Sequence, residues 1–141
     1  MTTPSAGDTL ENVQDTAVIV SRPVSQSVKQ IWKSIASREG SQALLGPGGV
    51  LGDKGEDWRS EDGTFGVIRS YHPLEEVRFT WHAAENAPKT VVQVTLQPAD
   101  DGGSVVEVRH EQVPAYFDRA ALARRWETFL DTIVALGEAS A

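Results

Sequence analysis

The middle of the chain alternates apolar and polar residues with a period of two, which is the pattern of β-strands that bury one face. Turn-forming residues separate these stretches, so neighbouring strands are predicted to pair antiparallel in a meander. A β-branched run precedes them, and Arg22-Pro23 is expected to end it because proline cannot donate to a sheet ladder. With a short run around Trp58, six strands are predicted, over residues 16–21, 56–60, 65–71, 77–83, 90–96 and 105–111.

Two other segments repeat their apolar residues with the helical period. A short amphipathic helix is predicted after the first strand, with Ser25 as its N-cap and Val28, Ile31, Trp32 and Ile35 on one face. Residues 39–55 are rich in glycine and predict a loop, or short strand broken by turns, in preference to a helix. Near the C-terminus a 4-3-4-3 spacing predicts a long helix with one apolar face, formed by Leu122, Trp126, Phe129, Ile133 and Leu136.

The order of these elements is strand, short helix, five strands and long helix. It predicts an α+β fold in which the helices pack on one face of a curved antiparallel sheet. A chain of 141 residues suits one domain, which we place at residues 15–141. Residues 1–14 are polar and are expected to form a flexible tail.

Composition excludes several classes of function. The formal net charge of −7 opposes binding to nucleic acid or to an anionic membrane surface. The chain has no cysteine, so it has neither a disulfide framework nor a thiolate metal site. It shows no signal-peptide pattern and no apolar run near the ~20 residues that cross a bilayer. A cytoplasmic protein is predicted.

An ordered set of segments resembles a known superfamily. Pro23 is followed by VKQIW at residues 28–32, Pro73 by VRFTW at 77–81, and GSVVEVRH at 103–110 by Trp126 in the last helix. The turn at 63–66 and the alternating strand at 90–96 belong to the same set. Over about residues 16–137 the chain resembles the START-like (SRPBCC, helix-grip) superfamily. Within it, the chain is most similar to the branch named after the activators of the Hsp90 ATPase.

The resemblance implies a curved sheet that wraps the long C-terminal helix and holds a small hydrophobic molecule between the two. Some members of the superfamily are cyclases or hydrolases. Relatives often have a tryptophan just after the first helix, whereas this chain has Ala43-Leu44-Leu45-Gly46, so that end of a cavity is expected to differ.

Strand parity, combined with this architecture, predicts which side chains face the helix. The aromatic and aliphatic members of that face, together with aromatic residues of both helices, form the predicted ligand-binding set. It comprises Trp32, Trp58, Phe65, Val67, Tyr71, Phe79, Trp81, Val94, Val108, His110, Trp126 and Phe129.

Two polar residues share the inward parity. His110 follows Val106 and Val108, and is interpreted either as a hydrogen-bonded histidine at a strand end or as an acid-base or ligand-binding group. Arg69 shares the parity of Val67 and Tyr71. A charge facing an apolar interior is costly, so either a bulge or rim position turns Arg69 outward, or it meets a carboxylate or ligand.

Other catalytic patterns are missing from the sequence. The three histidines, His72, His82 and His110, are not predicted to share a face, which argues against a metal site. No Gly-x-Ser-x-Gly elbow occurs, and the glycines of residues 46–49 lack the lysine of a phosphate loop. These glycines predict a flexible lip, with a gate over a pocket as the alternative. No cofactor and no metal are predicted.

Three functions remain open at this point. The first is a binding module for a small hydrophobic or aromatic molecule. The second is a cyclase- or hydrolase-like enzyme that uses His110 as acid or base and Arg69 to stabilise negative charge. The third is a protein-interaction module related to the chaperone activators, which a contiguous exposed apolar patch would favour. The first is preferred, so a binding protein is expected before an enzyme.

Overall fold

The computed structural model describes residues 17–140, with side chains as far as residue 138. The predicted tail at 1–14 lies outside the described residues. Within these described residues nine elements follow one another: β1 (Val18–Val24), α1 (Val28–Ala36), α2 (Arg38–Leu45), β2 (Asp57–Arg59), β3 (Phe65–His72), β4 (Glu76–Trp81), β5 (Thr90–Pro98), β6 (Ser104–Glu111) and α3 (Arg119–Ser140).

The six strands form one antiparallel sheet in the order β1-β6-β5-β4-β3-β2. This is the predicted α+β helix-grip fold, with an open curved sheet and a long C-terminal helix. The pairing among β4, β5 and β6 has no register shift, and β5 pairs with β6 from Val91 opposite Glu111 to Pro98 opposite Ser104. Sequential pairing of β2 to β6 makes the predicted meander, while β1 closes the other edge beside β6.

The core lies between this sheet and α3. Val77 and Phe79 of β4 are fully buried, as are Val94 of β5 and Val108 of β6. The helix supplies the opposite wall with fully buried residues on its apolar stripe, and it also packs on α1, α2 and β1. Removing a large apolar side chain from water contributes about 1.5–3 kcal/mol, so this layer is the main source of stability. The buried helix residues are Trp126, Phe129, Leu130 and Ile133.

Strand β1 continues through Pro23, where the sequence predicted its end. Pro23 pairs with Val105, and the strand runs on to Val24. Because β1 is an edge strand of the described sheet, one side of its backbone has no strand beside it among residues 17–140, and a residue without an N–H is tolerated there.

Helix α1 begins two residues later than predicted. Its N-cap is Ser27, not Ser25: the Ser27 hydroxyl accepts from the Gln30 backbone N–H at 3.2 Å. The Gln30 side chain accepts from the Ser27 backbone N–H at 2.9 Å and completes a capping box.

The predicted loop at 39–55 begins instead with helix α2. Ser37 caps this helix, and Leu44 and Leu45 at its end are fully buried. Gly40 lies at the contact between α1 and α2, where a Cβ atom would come within 1.8 Å of the Ser34 carbonyl oxygen. Glycine therefore serves a close helix-to-helix approach here, and the composition signal for a loop was wrong over this stretch.

A bulge in β3 decides which of its residues face the core. The register against β4 shifts between Ile68 and Ser70, and the intervening Arg69 is exposed. The bulge alternative for Arg69 is thereby confirmed. The predicted inward positions of Phe65 and Val67 are wrong, because Ile68 is the fully buried residue of this half of the strand. Beyond the bulge the parity changes.

Candidate functional site

Three rings meet inside the fold, one from each of three elements. The His110 ring of β6 lies between Trp81 of β4 and Trp126 of α3, with ring centroids 4.9 Å and 5.6 Å away and both contacts edge-on. His110 and Trp126 are fully buried, and Trp81 is 4% exposed. The inward orientation predicted for all three is confirmed.

A chain of hydrogen bonds fixes the tautomer of His110. The Trp126 indole Nε1–H, which can only donate, donates to His110 Nδ1 at 3.3 Å. His110 Nε2 therefore carries the proton and donates to Thr90 Oγ1 at 2.8 Å. The Thr90 hydroxyl in turn donates to the Trp81 carbonyl oxygen at 2.7 Å. Both nitrogens of the imidazole are in use, so His110 is a structural link between α3, β6, β5 and β4.

The surroundings also keep His110 neutral. Burial lowers the pKa of its imidazole to about 3, and the positive charge of Arg125 acts in the same direction. A group that stays unprotonated throughout the neutral range does not serve as a general acid there. The hydrogen-bonded interpretation of His110 fits its geometry, whereas the acid-base interpretation does not.

Arg125 completes this group, which we call the interior cluster: Trp81, Thr90, His110, Arg125 and Trp126. The Arg125 guanidinium carbon lies 5.4 Å from the ring centroid of each tryptophan, within the range of cation–π attraction. The apolar stripe predicted for the C-terminal helix does not include Arg125, so the sequence prediction missed it. Its position three residues after Leu122 on the apolar stripe is the signal that could have placed it beside the core.

Two neighbouring segments hold the Arg125 side chain. Its Nη2 donates to the Leu45 carbonyl oxygen at the end of α2 at 3.3 Å, and its Nη1 lies 3.8 Å from Asp62 Oδ2 in the turn between β2 and β3. Burial lowers the pKa of the guanidinium, and the Asp62 carboxylate opposes that effect. At Asp62 burial acts to raise the pKa, but hydrogen bonds from Thr64 and Ser60 and the Arg125 charge lower it overall.

Two buried donors of the interior cluster have no acceptor. Within residues 17–138, three buried side-chain polar atoms have no hydrogen-bond partner, and two of them are Trp81 Nε1 and Arg125 Nε. The third is Gln26 Oε1, outside the cluster. A buried donor without an acceptor costs about 1–3 kcal/mol. Such donors in one place mark a position where a ligand acceptor would be stabilised.

The other predicted site residues fall into two groups, one in or against the core and one away from it. Trp32 packs edge-on against Tyr71, and Trp58 packs edge-on against Phe79, each at 5.6 Å between ring centroids. Phe79, Val94, Val108 and Phe129 are fully buried core residues.

Phe65 and Val67 lie away from the interior cluster. The Phe65 ring stacks on the His82 ring with the two centroids 4.6 Å apart, and the Arg59 guanidinium also lies over the Phe65 ring. Both Phe65 and Val67 line a cleft with Trp58. They are not brought together with Trp81, His110 and Trp126.

Several clefts indent the described part of the chain. One of about 470 Å³ is on the face of the sheet opposite the helices and includes Arg69. One of about 360 Å³ lies between α1 and α3, and one of about 290 Å³ lies beside Phe65 and His82. None of these three is lined by Trp81, His110 or Trp126, so the predicted cavity between sheet and helix remains a prediction.

The structure separates the two residues on which the enzyme hypothesis depended. His110 is buried under α3, whereas Arg69 lines the 470 Å³ cleft together with Arg78, an outward residue of β4. The sheet lies between them. A shared reaction centre for His110 and Arg69 is therefore wrong, because the bulge turns Arg69 to the opposite face.

The three histidines also lie in different environments. His110 is in the core, His82 stacks on Phe65, and His72 is exposed at the end of β3. Among the residues that the structure describes, no group of three or more His, Asp or Glu side chains is arranged to hold a metal ion. No helix of residues 17–140 is both long and apolar enough to pass through a bilayer.

A curved antiparallel sheet with a long C-terminal helix across its concave face defines a helix-grip protein of the SRPBCC type. The sequence matches the family described as Activator of Hsp90 ATPase homolog 1-like protein over residues 25–138, and the chain belongs to that family. The predicted resemblance is confirmed. Among curated proteins, none matches the sequence.

Solved structures share the fold at low sequence identity. CalU16 from Micromonospora echinospora is 19% identical with a TM-score of 0.72, over 86% of this chain and 75% of that one. MLL2253 from Mesorhizobium loti is 17% identical with a TM-score of 0.75, over 89% and 98%. The Aha1 dimer from Colwellia psychrerythraea is 17% identical with a TM-score of 0.66, over 83% and 92%. At these identities the similarity concerns the fold.

Proposed function

We propose that the protein binds a small aromatic or apolar molecule that carries a hydrogen-bond acceptor, between the sheet and α3 at the interior cluster. The observation that carries the proposal is the pair of buried donors without acceptors, Trp81 Nε1 and Arg125 Nε. The two indole rings offer apolar surface, and the guanidinium offers charge. A ligand with a flat apolar body and a carbonyl, phenolate or carboxylate group matches both.

The ligand reaches the cluster through the segment of residues 46–56, which joins α2 to β2. Gly46, Gly48 and Gly55 have positive φ angles of 117°, 78° and 91°, and Val50 is 72% exposed. Arg125 is bound to the Leu45 carbonyl oxygen directly before this segment. A ligand acceptor that replaces Leu45 as partner of Arg125 would free the segment to open, as the gate alternative for residues 46–49 requires.

A titration with matched probes tests this function. We expect 2-naphthoate to raise the melting temperature and naphthalene to raise it less, because only the carboxylate satisfies the unpaired donors. Amide chemical shifts should change around Trp81 and Arg125. Arg125→Met should weaken naphthoate binding roughly tenfold or more, the cost of a charge-assisted hydrogen bond, while Arg124→Met on the exposed side of the same helix should not.

Two outcomes would contradict the proposal. One is the absence of any thermal shift across flat aromatic acids, fatty acids and sterols. The other is equal binding loss in Arg124→Met and Arg125→Met, which would show that the charge of α3 matters and the cluster does not.

A protein-interaction function receives less support. The large hydrophobic residues that are exposed in the described range lie on four separate parts of the fold: Ile19, Val50, Leu74 and Tyr116. Isolated apolar residues on a surface are ordinary, and a docking face would need a contiguous patch.

A further inference from the structure

The face of the sheet opposite the helices carries a cleft of about 470 Å³, which we call the outward cleft. Its charged walls come from β3, β4 and the turn before β5: Arg69, Arg78 and Lys89, with Glu76 as the carboxylate among them. This cleft is separate from the interior cluster, because β4 and β5 lie between the two.

The floor of the outward cleft is more enclosed than an outer sheet face normally is. Thr80 and Val91 pair across β4 and β5 and alternate with the core residues of both strands. They are nonetheless only 6% and 7% exposed. Long side chains and Gln112 surround them, so this surface is concave. Gln112 has a positive φ of 64°.

The cations of the outward cleft are largely free of partners inside the protein. In the part of the chain that the structure describes, Arg69 and Lys89 make no ion pair or side-chain hydrogen bond, and Arg78 is 3.9 Å from its nearest carboxylate, Glu111. Glu76 is engaged by Ser70 Oγ at 3.1 Å and Gln93 Nε2 at 3.4 Å. Three cations, Arg69, Arg78 and Lys89, against two carboxylates, Glu76 in the cleft and Glu111 beside Arg78, leave a local positive excess in a chain whose net charge is −7.

The bulge in β3 contributes to this arrangement. Ile68 faces the core, so the adjacent Arg69 points into the outward cleft, and the register shift between Ile68 and Ser70 separates it from the inward parity of Tyr71. Bulges commonly re-aim a side chain beside a binding site. The backbone therefore brings a third cation to a place where two already lie.

We propose that the outward cleft binds a small polyanion with at least two carboxylate or phosphate groups. Its volume exceeds that of a single inorganic anion, and its cations lie on β3, on β4 and in the segment before β5, so two or more anionic groups can be paired at once. The focused positive field on an acidic protein attracts such a ligand selectively to this face.

Calorimetric titration of the whole chain with inorganic triphosphate and with citrate tests the proposal, and the comparison of the two separates phosphate from carboxylate recognition. We expect saturable binding of at least one probe at about 0.01 M ionic strength and weaker binding at about 0.15 M, where screening is stronger. Amide shifts should concentrate at Arg69, Thr80 and Lys89.

The variants are chosen to leave the fold intact. Arg69→Gln and Lys89→Gln alter exposed side chains without internal partners, so the melting temperature should stay constant while each reduces affinity at least threefold. Arg124→Gln removes the same charge from α3 and is the matched control, expected to keep full affinity. The proposal is overturned by dissociation constants weaker than about 1 mM for both probes, or by an equal loss in all three variants.

Discussion

At the residue scale, the two tryptophans of the interior cluster offer a direct comparison. The indole N–H of Trp126 donates to His110, whereas that of Trp81 has no acceptor, although both rings are buried against the same imidazole. One N–H therefore stabilises the free protein and the other destabilises it. The difference follows from position: Trp126 Nε1 lies beside a nitrogen lone pair, and Trp81 Nε1 does not.

Replacement of each tryptophan by phenylalanine measures this difference. Both Trp81→Phe and Trp126→Phe remove a similar volume, so the cavity cost is shared. Trp126→Phe also leaves the His110 Nδ1 acceptor unpaired, and we expect it to be less stable than Trp81→Phe by about 1–3 kcal/mol. Urea unfolding gives both free energies. Equal losses would mean that the bond from Trp126 to His110 contributes nothing.

The buried imidazole also predicts how stability depends on pH. The pKa of His110 is lowered to about 3 in the folded protein, against 6.5 in the unfolded chain, so the unfolded chain takes up the proton first. The contribution of neutral His110 to the free energy of unfolding is fully present above pH 6.5. It is lost as the pH decreases toward 3, at up to about 1.4 kcal/mol per pH unit. Between pH 7.5 and 5 we expect a loss of about 2 kcal/mol.

Urea unfolding across pH 7.5 to 5 checks this expectation in a range above most carboxyl titration. His110→Gln should lose most of the pH dependence, and His72→Gln, at an exposed position, should keep it. If His110→Gln shows the same slope as the wild-type chain, another group is responsible.

At the scale of elements, the sequence predicts what depends on alternation and misses what depends on contacts between elements. The inward parity of Trp81 and His110 followed from a period of two, because those strands are regular. In β3 a bulge breaks that period, so Phe65 and Val67 were assigned to the wrong face. The alternation alone gives no position for a bulge, although the cost of burying Arg69 pointed to one.

Helix α2 was missed for a related reason. Gly40 looked like a loop residue, but it is required where α2 approaches the Ser34 carbonyl of α1. Such a contact exists only after both helices have formed and packed, so composition within one window does not reveal it. The same limit hid Arg125, whose partners Leu45 and Asp62 are distant in sequence.

The start of α1 allows the predicted and the observed cap to be compared. Ser27→Ala removes the hydroxyl that accepts from the Gln30 N–H, and should lower the free energy of unfolding by about 1 kcal/mol. Ser25→Ala changes an exposed residue outside the helix and should be neutral within about 0.5 kcal/mol. Thermal or urea unfolding distinguishes them, and a larger effect of Ser25→Ala would place the helix start where the sequence predicted it.

At the scale of the whole molecule, stability is unevenly distributed between the sheet centre and the edge near α2. Strands β4, β5 and β6 have neighbours on both sides, whereas β2 is a three-residue edge strand. The segment of residues 46–56 precedes β2 and is attached by few backbone bonds, among them that from Gly55 N–H to the Ile68 carbonyl at 2.7 Å. The Arg125 side chain joins α3 to Leu45, directly before this segment, and to Asp62, in the turn after β2.

Hydrogen exchange should therefore separate the molecule into two parts. We expect amides of the central strands, such as Val92 and Val108, to exchange only by global opening, and amides of residues 46–56 to exchange by low-energy local opening. Saturation with 2-naphthoate should slow exchange throughout the protein and most strongly near Arg125, because bound ligand disfavours the open state. Protection of residues 46–56 equal to that of β5 in the free protein would exclude this segment as the entrance, and the interior cluster would then need another route to solvent.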